Sequence, residues 1–213
     1  MSVWAVVVAA GSATRFGRPK QYEVLRGRRV LDWSLDAARA ACDGVVVVVP
    51  PDRVERPEPA ADVVVAGAAT RSGSVRCGLA AVPAGAEVIV VHDSARPLAM
   101  AALYTSAVDA VRAGADGAVC AVALADTLKR VEGATVVETV DRQNLWAAQT
   151  PQAFAAGVLR RAHADAPDAT DDAVLVEAAG GLVKVVDGDP RNLKLTRPGD
   201  LVVAEALLAT LLS

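Results

Sequence analysis

Small residues followed by cations, directly after the first apolar run, form the segment of this sequence best suited to bind phosphate. The run Val3 to Val8 leads into Ala9 to Gly11, and Arg15 and Lys20 follow. A turn of small residues lets backbone N–H groups approach phosphate oxygens, and nearby cations neutralise their charge. Neither Gly-x-x-x-x-Gly-Lys-Ser/Thr nor Gly-x-Gly-x-x-Gly occurs here. An ordinary basic surface loop explains the composition equally well.

A second candidate site follows another apolar run, Val88 to Val91, where the chain continues as His92 to Pro97. A carboxylate that leaves a buried strand beside a triphosphate can hold Mg²⁺, which takes one or two carboxylates together with phosphate oxygens. Asp93 is therefore the predicted metal ligand. The alternative from the residues alone is that Asp93 caps the next helix or pairs with Arg96.

Short Val-rich runs alternate with helical patterns along the chain. Near-continuous apolar runs are typical of parallel strands buried on both faces, and they occur at 3–8, 45–49, 63–65, 88–91 and 118–124. Apolar residues at helical spacing occur at 30–41, 74–82 and 100–111. This alternation predicts an α/β fold with right-handed crossovers. Because ligands gather at the carboxyl ends of such strands, the strand-end position of both candidate sites favours function over ordinary loops.

The stretch from Ala123 to Val140 breaks the alternation. Two β-type runs flank Glu132-Gly133, which predicts a hairpin, and the hairpin is a candidate arm leaving the body. Downstream, helices are predicted from Phe154, over 171–179 and after Pro198, with a strand over 182–186. The whole chain, 1–213, is predicted to form one domain with this β-arm at about 123–142.

Composition argues against several function classes. The net charge is −3, the pI is about 5.4 and there is no Lys/Arg block, so nucleic-acid binding is not expected. Cys42, Cys77 and Cys120 are far apart and form no Cys-x-x-Cys pair, which argues against a disulfide framework and fits a reducing cytoplasm. The first apolar run is shorter than the roughly 20 residues of a membrane span, so no membrane association is expected.

Five strings of this sequence, taken in order, resemble the 2-C-methyl-D-erythritol 4-phosphate cytidylyltransferase family of the non-mevalonate isoprenoid pathway. They lie at 9–21, 92–97, 149–152, 170–172 and 192–198, so the resemblance covers essentially the whole chain. It implies a Rossmann-like three-layer α/β nucleotidyltransferase fold with a mainly parallel sheet and a protruding β-hairpin arm. It also implies transfer of a cytidylyl group from CTP to methylerythritol phosphate with Mg²⁺, releasing pyrophosphate. The acceptor phosphate would attack the α-phosphate in line, so the protein would act by positioning and charge stabilisation.

The resemblance assigns a role to each matching residue. Arg15 and Lys20 would stabilise charge on the α-phosphate, and Arg142 and Lys194 would orient the acceptor phosphate. The residues expected to line the nucleotide are Ala9, Ala10, Gly11, Ala68, Ser74, Asp93 and Ser94, with Asp93 also holding the metal. The residues expected around the acceptor are Arg96, Thr127, Arg142, Thr150, Thr170 and Lys194. The arm would embrace a second subunit and give a cytoplasmic homodimer.

For several of these residues an ordinary structural role is an open alternative. Thr127 and Arg142 can be ordinary surface residues of the arm, Thr150 a loop hydroxyl, and Thr170 the N-cap of the next helix. Ala13 stands where the family usually has a second glycine, so a Cβ must fit in the first loop.

Three rival functions accompany the resemblance. Ribitol 5-phosphate cytidylyltransferase shares the fold, the first loop and CTP, so the common motifs do not fix the acceptor. A non-catalytic nucleotide-binding module is the rival from another class. A dinucleotide-dependent oxidoreductase is the weakest, because Asp32 and Asp36 fall within a helical pattern and not at a strand end.

Overall fold

The computed structural model describes residues 1–11, 16–164 and 168–211. The strands, in chain order, are β1 (Val3–Val8), β2 (Val24–Leu25), β3 (Arg28–Arg29), β4 (Gly44–Val49), β5 (Val63–Ala66), β6 (Val88–Asp93), β7 (Gly117–Ala123), β8 (Leu128–Glu132), β9 (Thr135–Val140), β10 (Trp146–Ala155) and β11 (Val183–Asp187). The helices are α1 (Val30–Ala41), α2 (Arg71–Ala81), α3 (Ala101–Arg112), α4 (Ala156–Ala164), α5 (Asp172–Ala178) and α6 (Gly199–Leu211). Short 3₁₀ turns lie at Lys20–Tyr22 and Pro51–Arg53.

The central sheet has seven strands in the order β11-β7-β10-β6-β1-β4-β5. Each pair in it is parallel except the two that β10 makes with β6 and β7. After β1, the chain adds β4 and β5 on one side and then crosses to β6 on the other. The strand order therefore reverses between β1 and β6, which is where open α/β sheets bind ligands.

Helices cover both faces of this sheet, as the predicted three-layer α/β fold requires. The side chains of α1 and α3 pack with Val3, Ala5 and Val7 on one face. Those of α2, α4 and α5 pack with Val6, Val46 and Val48 on the other. The alternation of valines between two buried faces explains why β1 and β4 read as continuous apolar runs. The prediction of a mainly parallel α/β fold is confirmed.

The described ranges contain no helix that combines the length and apolar character needed to cross a membrane.

The predicted helix start at Phe154 is wrong, because Phe154 belongs to β10 and α4 begins at Ala156. Sequence reasoning missed this strand although it lies at the centre of the sheet. Its buried residues include Gln149, Thr150 and Gln152, so the apolar signal of a central strand is absent. Pro151 lacks a backbone donor, and it falls where the pairing of β10 with β7 shifts register.

The predicted hairpin is present as β8 and β9, which pair antiparallel outside the main sheet. Gly133 adopts φ +57° at its turn, a conformation that favours glycine. Val131, Val136 and Val137 are about half exposed on these strands (55%, 55% and 48%). Three apolar side chains in water on one hairpin are the kind of surface that a partner covers.

Candidate active site

A cleft of about 460 Å³ lies at the carboxyl ends of β1, β5 and β6. It gathers the predicted nucleotide-binding residues from three separate parts of the chain, together with both predicted lysines. Those that line it are Ala9, Ala10, Gly11, Lys20, Ala68, Ser74, Asp93, Ser94 and Lys194. The cleft therefore occupies the point where the strand order reverses, as expected for a ligand site in this fold.

The wall between β5 and α2 is shaped by the close approach of Gly67 to the first turn. A Cβ on Gly67 would lie 2.3 Å from the Cβ of Ala10 and 2.9 Å from Ser74 Oγ. Ser74 Oγ accepts from the N–H of Ala68 at 3.1 Å and donates to the carbonyl of Thr70 at 2.9 Å. Glycine is thus the residue that lets the loop from Gly67 to Thr70 lie against Ala10.

Asp93 ends β6, and its carboxylate pairs with two cations in the cleft. Its Oδ1 accepts from Arg71 Nε at 3.0 Å and its Oδ2 from Lys194 Nζ at 2.6 Å. Burial pushes the pKa of Asp93 up, but the charges of Arg71 and Lys194 outweigh it and hold that pKa well below the usual carboxyl range. The carboxylate is therefore ionised at physiological pH. The side-chain partners of Asp93 are thus Arg71 and Lys194, and not Arg96, which the alternative from the residues alone had suggested.

Behind Asp93, neutral groups support the strand end. The backbone N–H of Asp93 donates to Thr150 Oγ1 at 3.0 Å, and that oxygen lies 3.2 Å from His92 Nδ1. Burial lowers the pKa of His92 to about 3, so its imidazole is neutral and packs against Tyr104. His92 is consequently a packing residue and not an acid or base of the cleft.

Lys20 lines the same cleft as Asp93 and connects the first loop to the segment that follows β11. Its Nζ donates to the carbonyl of Leu195 at 2.6 Å. The neighbouring Gln21 is buried and donates to the carbonyl of Ala9 at 2.8 Å, which fixes the end of β1. The loop cation and the turn of small residues are therefore attached to the same framework.

The segment that carries Lys194 is held from below by a buried amide network. Asn192 is fully buried and donates to Gln149 Oε1 at 3.1 Å and to the carbonyl of Thr150 at 2.9 Å. Arg96 Nη1 donates to the carbonyl of Asn192 at 2.7 Å. These hydrogen bonds hold the backbone from which the Lys194 side chain extends.

The remaining predicted site residues lie outside the cleft lining. Arg96 donates to the carbonyl of Asn192, and the buried hydroxyl of Thr150 accepts from the backbone N–H of Asp93.

The other three predicted acceptor residues are exposed. Thr170 is exposed just before α5, whose N-cap is Asp171 and not Thr170. Thr127 and Arg142 are exposed at the base of the arm. Their contacts with an acceptor stay predictions, and Arg15 lies outside the described residues.

Arg71 is the principal residue that sequence reasoning missed. It begins α2, lines the cleft and joins two carboxylates, Asp93 and Asp172, with Nη2 2.9 Å from Asp172 Oδ2. The sequence did single out Ala68 and Ser74, which flank Arg71, and the string at 170–172. Only the fold reveals that a single guanidinium connects them.

The cleft fits a magnesium ion that takes most of its ligands from a nucleotide. Within the described part of the chain, no group of three or more His, Cys, Asp or Glu side chains is arranged to hold a metal. Asp93 is ionised and is the carboxylate among the residues lining the cleft. Mg²⁺ commonly uses one or two carboxylates together with phosphate oxygens and water, so this donor set suits it.

Gly67→Ala should weaken nucleotide binding while leaving the rest of the fold intact. The new Cβ would collide with Ala10 and push the two walls of the cleft apart, and overpacking of this kind costs about 1–3 kcal/mol. We expect the Kd for CTP, measured by titration calorimetry, to rise about five- to 150-fold.

Gly85→Ala is the matched control, because a Cβ there meets no atom within 4 Å. Both proteins should show cooperative unfolding, which establishes that binding is compared between folded chains. An unchanged affinity of folded Gly67→Ala for CTP would show that this contact does not shape the nucleotide site.

Comparison with known proteins agrees with this geometry. A sequence model of the 2-C-methyl-D-erythritol 4-phosphate cytidylyltransferase family matches residues 3–210. The chain is 43% identical to the protein of that name from Prochlorococcus marinus strain MIT 9313, across 96% of this chain and 97% of that protein. It is also 43% identical to the one from Streptomyces avermitilis, across 96% and 91%. The crystal structure of the Thermus thermophilus protein of that name superposes with a TM-score of 0.84 at 36% identity, covering 96% of this chain and 98% of that one. This chain therefore belongs to the 2-C-methyl-D-erythritol 4-phosphate cytidylyltransferase family.

Proposed function

We propose that this protein transfers a cytidylyl group from CTP to 2-C-methyl-D-erythritol 4-phosphate, giving CDP-methylerythritol and pyrophosphate for isoprenoid precursor synthesis. Membership of the family supports the reaction. The observation that carries the assignment in this chain is the convergence of Lys20, Lys194 and Asp93 on one cleft at the reversal of the strand order. Cations and a carboxylate in this arrangement suit a triphosphate and its metal.

In this reaction the protein has to position the two phosphates and stabilise negative charge on the α-phosphate. An acceptor phosphate oxygen attacks the α-phosphate in line, a bond forms between that oxygen and phosphorus, and pyrophosphate leaves with the bonding electrons. The transition state gathers negative charge on the α-phosphate oxygens. Lys20, with Arg15 beside it in sequence, is proposed to stabilise that charge. No acid or base is required, which is consistent with the neutral, buried state of His92.

Lys194 is proposed to bring the acceptor phosphate to the nucleotide. Its Nζ is 2.6 Å from Asp93 Oδ2, so it reaches the same space as the predicted metal ligand. A phosphate dianion in the cleft would compete with Asp93 for this ammonium group. The buried hydrogen bonds of Asn192 would hold the backbone of Lys194 in place while its side chain turns toward the phosphate.

Mg²⁺ is the proposed cofactor, with Asp93 as its protein ligand. When bound, the ion would draw negative charge from the triphosphate oxygens and help to orient them. Because Asp93 is ionised and its two oxygens have about four acceptor positions between them, it can bind a cation without releasing Arg71.

The arm is proposed to complete the acceptor site in a cytoplasmic homodimer. Thr127 and Arg142 lie at the base of the β8–β9 hairpin, away from this chain's own cleft lining. The half-exposed valines of the hairpin support a partner surface there. In such a dimer, Arg142 of one subunit would reach the acceptor phosphate bound by the other.

The acceptor is tested by following pyrophosphate release with CTP, Mg²⁺ and either methylerythritol phosphate or ribitol 5-phosphate. We expect the first acceptor to be turned over with the higher kcat/KM. Faster turnover of ribitol 5-phosphate would assign the chain to the rival cytidylyltransferase activity. No pyrophosphate with either acceptor would favour the non-catalytic nucleotide-binding module.

Lys20→Ala should lower kcat about 100-fold or more, because it removes a charge partner of the transition state. The effect on the KM for CTP should be much smaller. Lys184→Ala, on the exposed edge strand β11, is the matched control and should leave kcat unchanged. Equal kcat values for Lys20→Ala and the wild-type protein would remove Lys20 from the mechanism.

A further inference from the structure

We propose that Asp172 is a positioning residue for Asp93 and acts on it through Arg71. The proposal rests on the role of Asp93 as metal ligand given above. It assigns a task in the reaction to a chain of polar contacts that runs from the cleft into the interface of α2, α4 and α5. The members of this chain, from the cleft inward, are Lys194, Asp93, Arg71, Asp172 and His163.

Arg71 is placed to serve carboxylates and not a substrate. Its Nε donates to Asp93 Oδ1 at 3.0 Å, and its Nη2 lies 2.9 Å from Asp172 Oδ2. Although the side chain borders the cleft, both terminal nitrogens are shielded from solvent. Nη2 already pairs with Asp172, and neither terminal nitrogen is exposed to a phosphate in the cleft.

Asp172 is held on its other side by His163. Its Oδ1 lies 3.0 Å from His163 Nε2, and both side chains are almost wholly buried, with 1% and 3% exposed. Asp172 begins α5, and His163 lies in the last turn of α4. This contact inside the protein helps to fix the carboxylate that holds Arg71.

The need for a second carboxylate follows from the charges around Asp93. Arg71 and Lys194 both point at this carboxylate, and a metal ion would be a third cation competing for the same oxygens. Asp172 draws one end of the guanidinium toward itself, so Arg71 presents a single Nε–H to Asp93. Without the charge of Asp172, Arg71 can turn its fork onto Asp93 and bind both oxygens, which is the preferred geometry of an isolated Arg–carboxylate pair. Fewer of the acceptor positions of Asp93 would then remain for the metal.

Two hydrogen bonds of Ser72 hold the segment before the string at 170–172 against the start of α2. Ser72 Oγ donates to the carbonyl of Ala169 at 3.3 Å and accepts from its N–H at 3.0 Å, which joins the start of α2 to the segment before α5. Thr170 follows directly, so the predicted acceptor residue depends on the same attachment.

The test compares CTP binding by titration calorimetry in Mg²⁺ and in EDTA. The ratio of the two Kd values measures how strongly the metal and the nucleotide bind together, and it does not depend on turnover. Asp172→Asn keeps the shape of the side chain and removes its charge. We expect the ratio to fall about tenfold or more, corresponding to about 1.4 kcal/mol, while the Kd in EDTA changes little. The KM for Mg²⁺ in the pyrophosphate assay should rise in parallel.

Asp168→Asn is the matched control. Asp168 is an exposed acid that accepts from Thr70 Oγ1 at 2.7 Å and approaches Arg76, so it also contacts the start of α2 but leaves Arg71 untouched. Its Kd ratio should equal that of the wild-type protein. If Asp172→Asn yields too little folded protein, Arg71→Lys replaces it, because an ammonium group cannot bridge both carboxylates in the same way. That variant should show the same fall in the ratio.

Asp93→Asn separates failure of this inference from failure of the proposed function. If Asp93→Asn abolishes the effect of Mg²⁺ and Asp172→Asn leaves the ratio unchanged, the positioning role is overturned and the metal role stands. If Asp93→Asn itself keeps the wild-type ratio, the metal assignment fails and this inference fails with it. A purely structural role for Asp172 would lower the binding stoichiometry and the melting temperature without altering the Kd ratio, and that result would also overturn the proposal.

Discussion

The carboxylate of Asp93, held between Arg71 and Lys194 at the end of β6, is the interaction on which the organisation of this site depends. A buried charge is costly unless it is paired and hydrogen-bonded, and Asp93 receives both kinds of support. Through these contacts the start of α2, the carboxyl end of β6 and the segment after β11 meet at one point. Loss of Arg71 or Lys194 would leave the carboxylate with one cation only, so the cost of burying its charge would be less well offset.

The sheet explains why this point lies beside the first loop. In-register pairing sets Val8 of β1 opposite Asp93 of β6, so the small-residue turn that follows β1 begins next to the carboxylate. In each crossover, the helix follows the carboxyl end of a strand, so helices on both faces begin near this end of the sheet. The turn of small residues and the predicted metal ligand are far apart in sequence, and strand register brings them together.

Much of this could be predicted from the sequence, for identifiable reasons. Apolar runs such as Val45 to Val49 are unambiguous because both faces of the central sheet are buried, and helix α1 has its apolar residues at helical spacing. The central strand β10 escaped prediction because buried polar residues and Pro151 remove the apolar pattern. The partners of Asp93 escaped it as well, since Arg71 and Lys194 are distant in sequence and ion pairs leave no periodic signal. Dimerisation, the metal and the acceptor contacts stay proposals, since they concern molecules beyond this chain.

The central claim is that Asp93 binds the metal that accompanies CTP while Arg71 keeps it in place. The most direct test is a crystal structure of the protein with CTP and Mg²⁺ in the absence of acceptor. The account predicts an ion about 2.1 Å from an oxygen of Asp93, shared with triphosphate oxygens, with the Arg71 Nε contact retained and Lys194 turned away from Asp93. A metal bound only by the triphosphate and water, with Asp93 still paired to both cations, would contradict it.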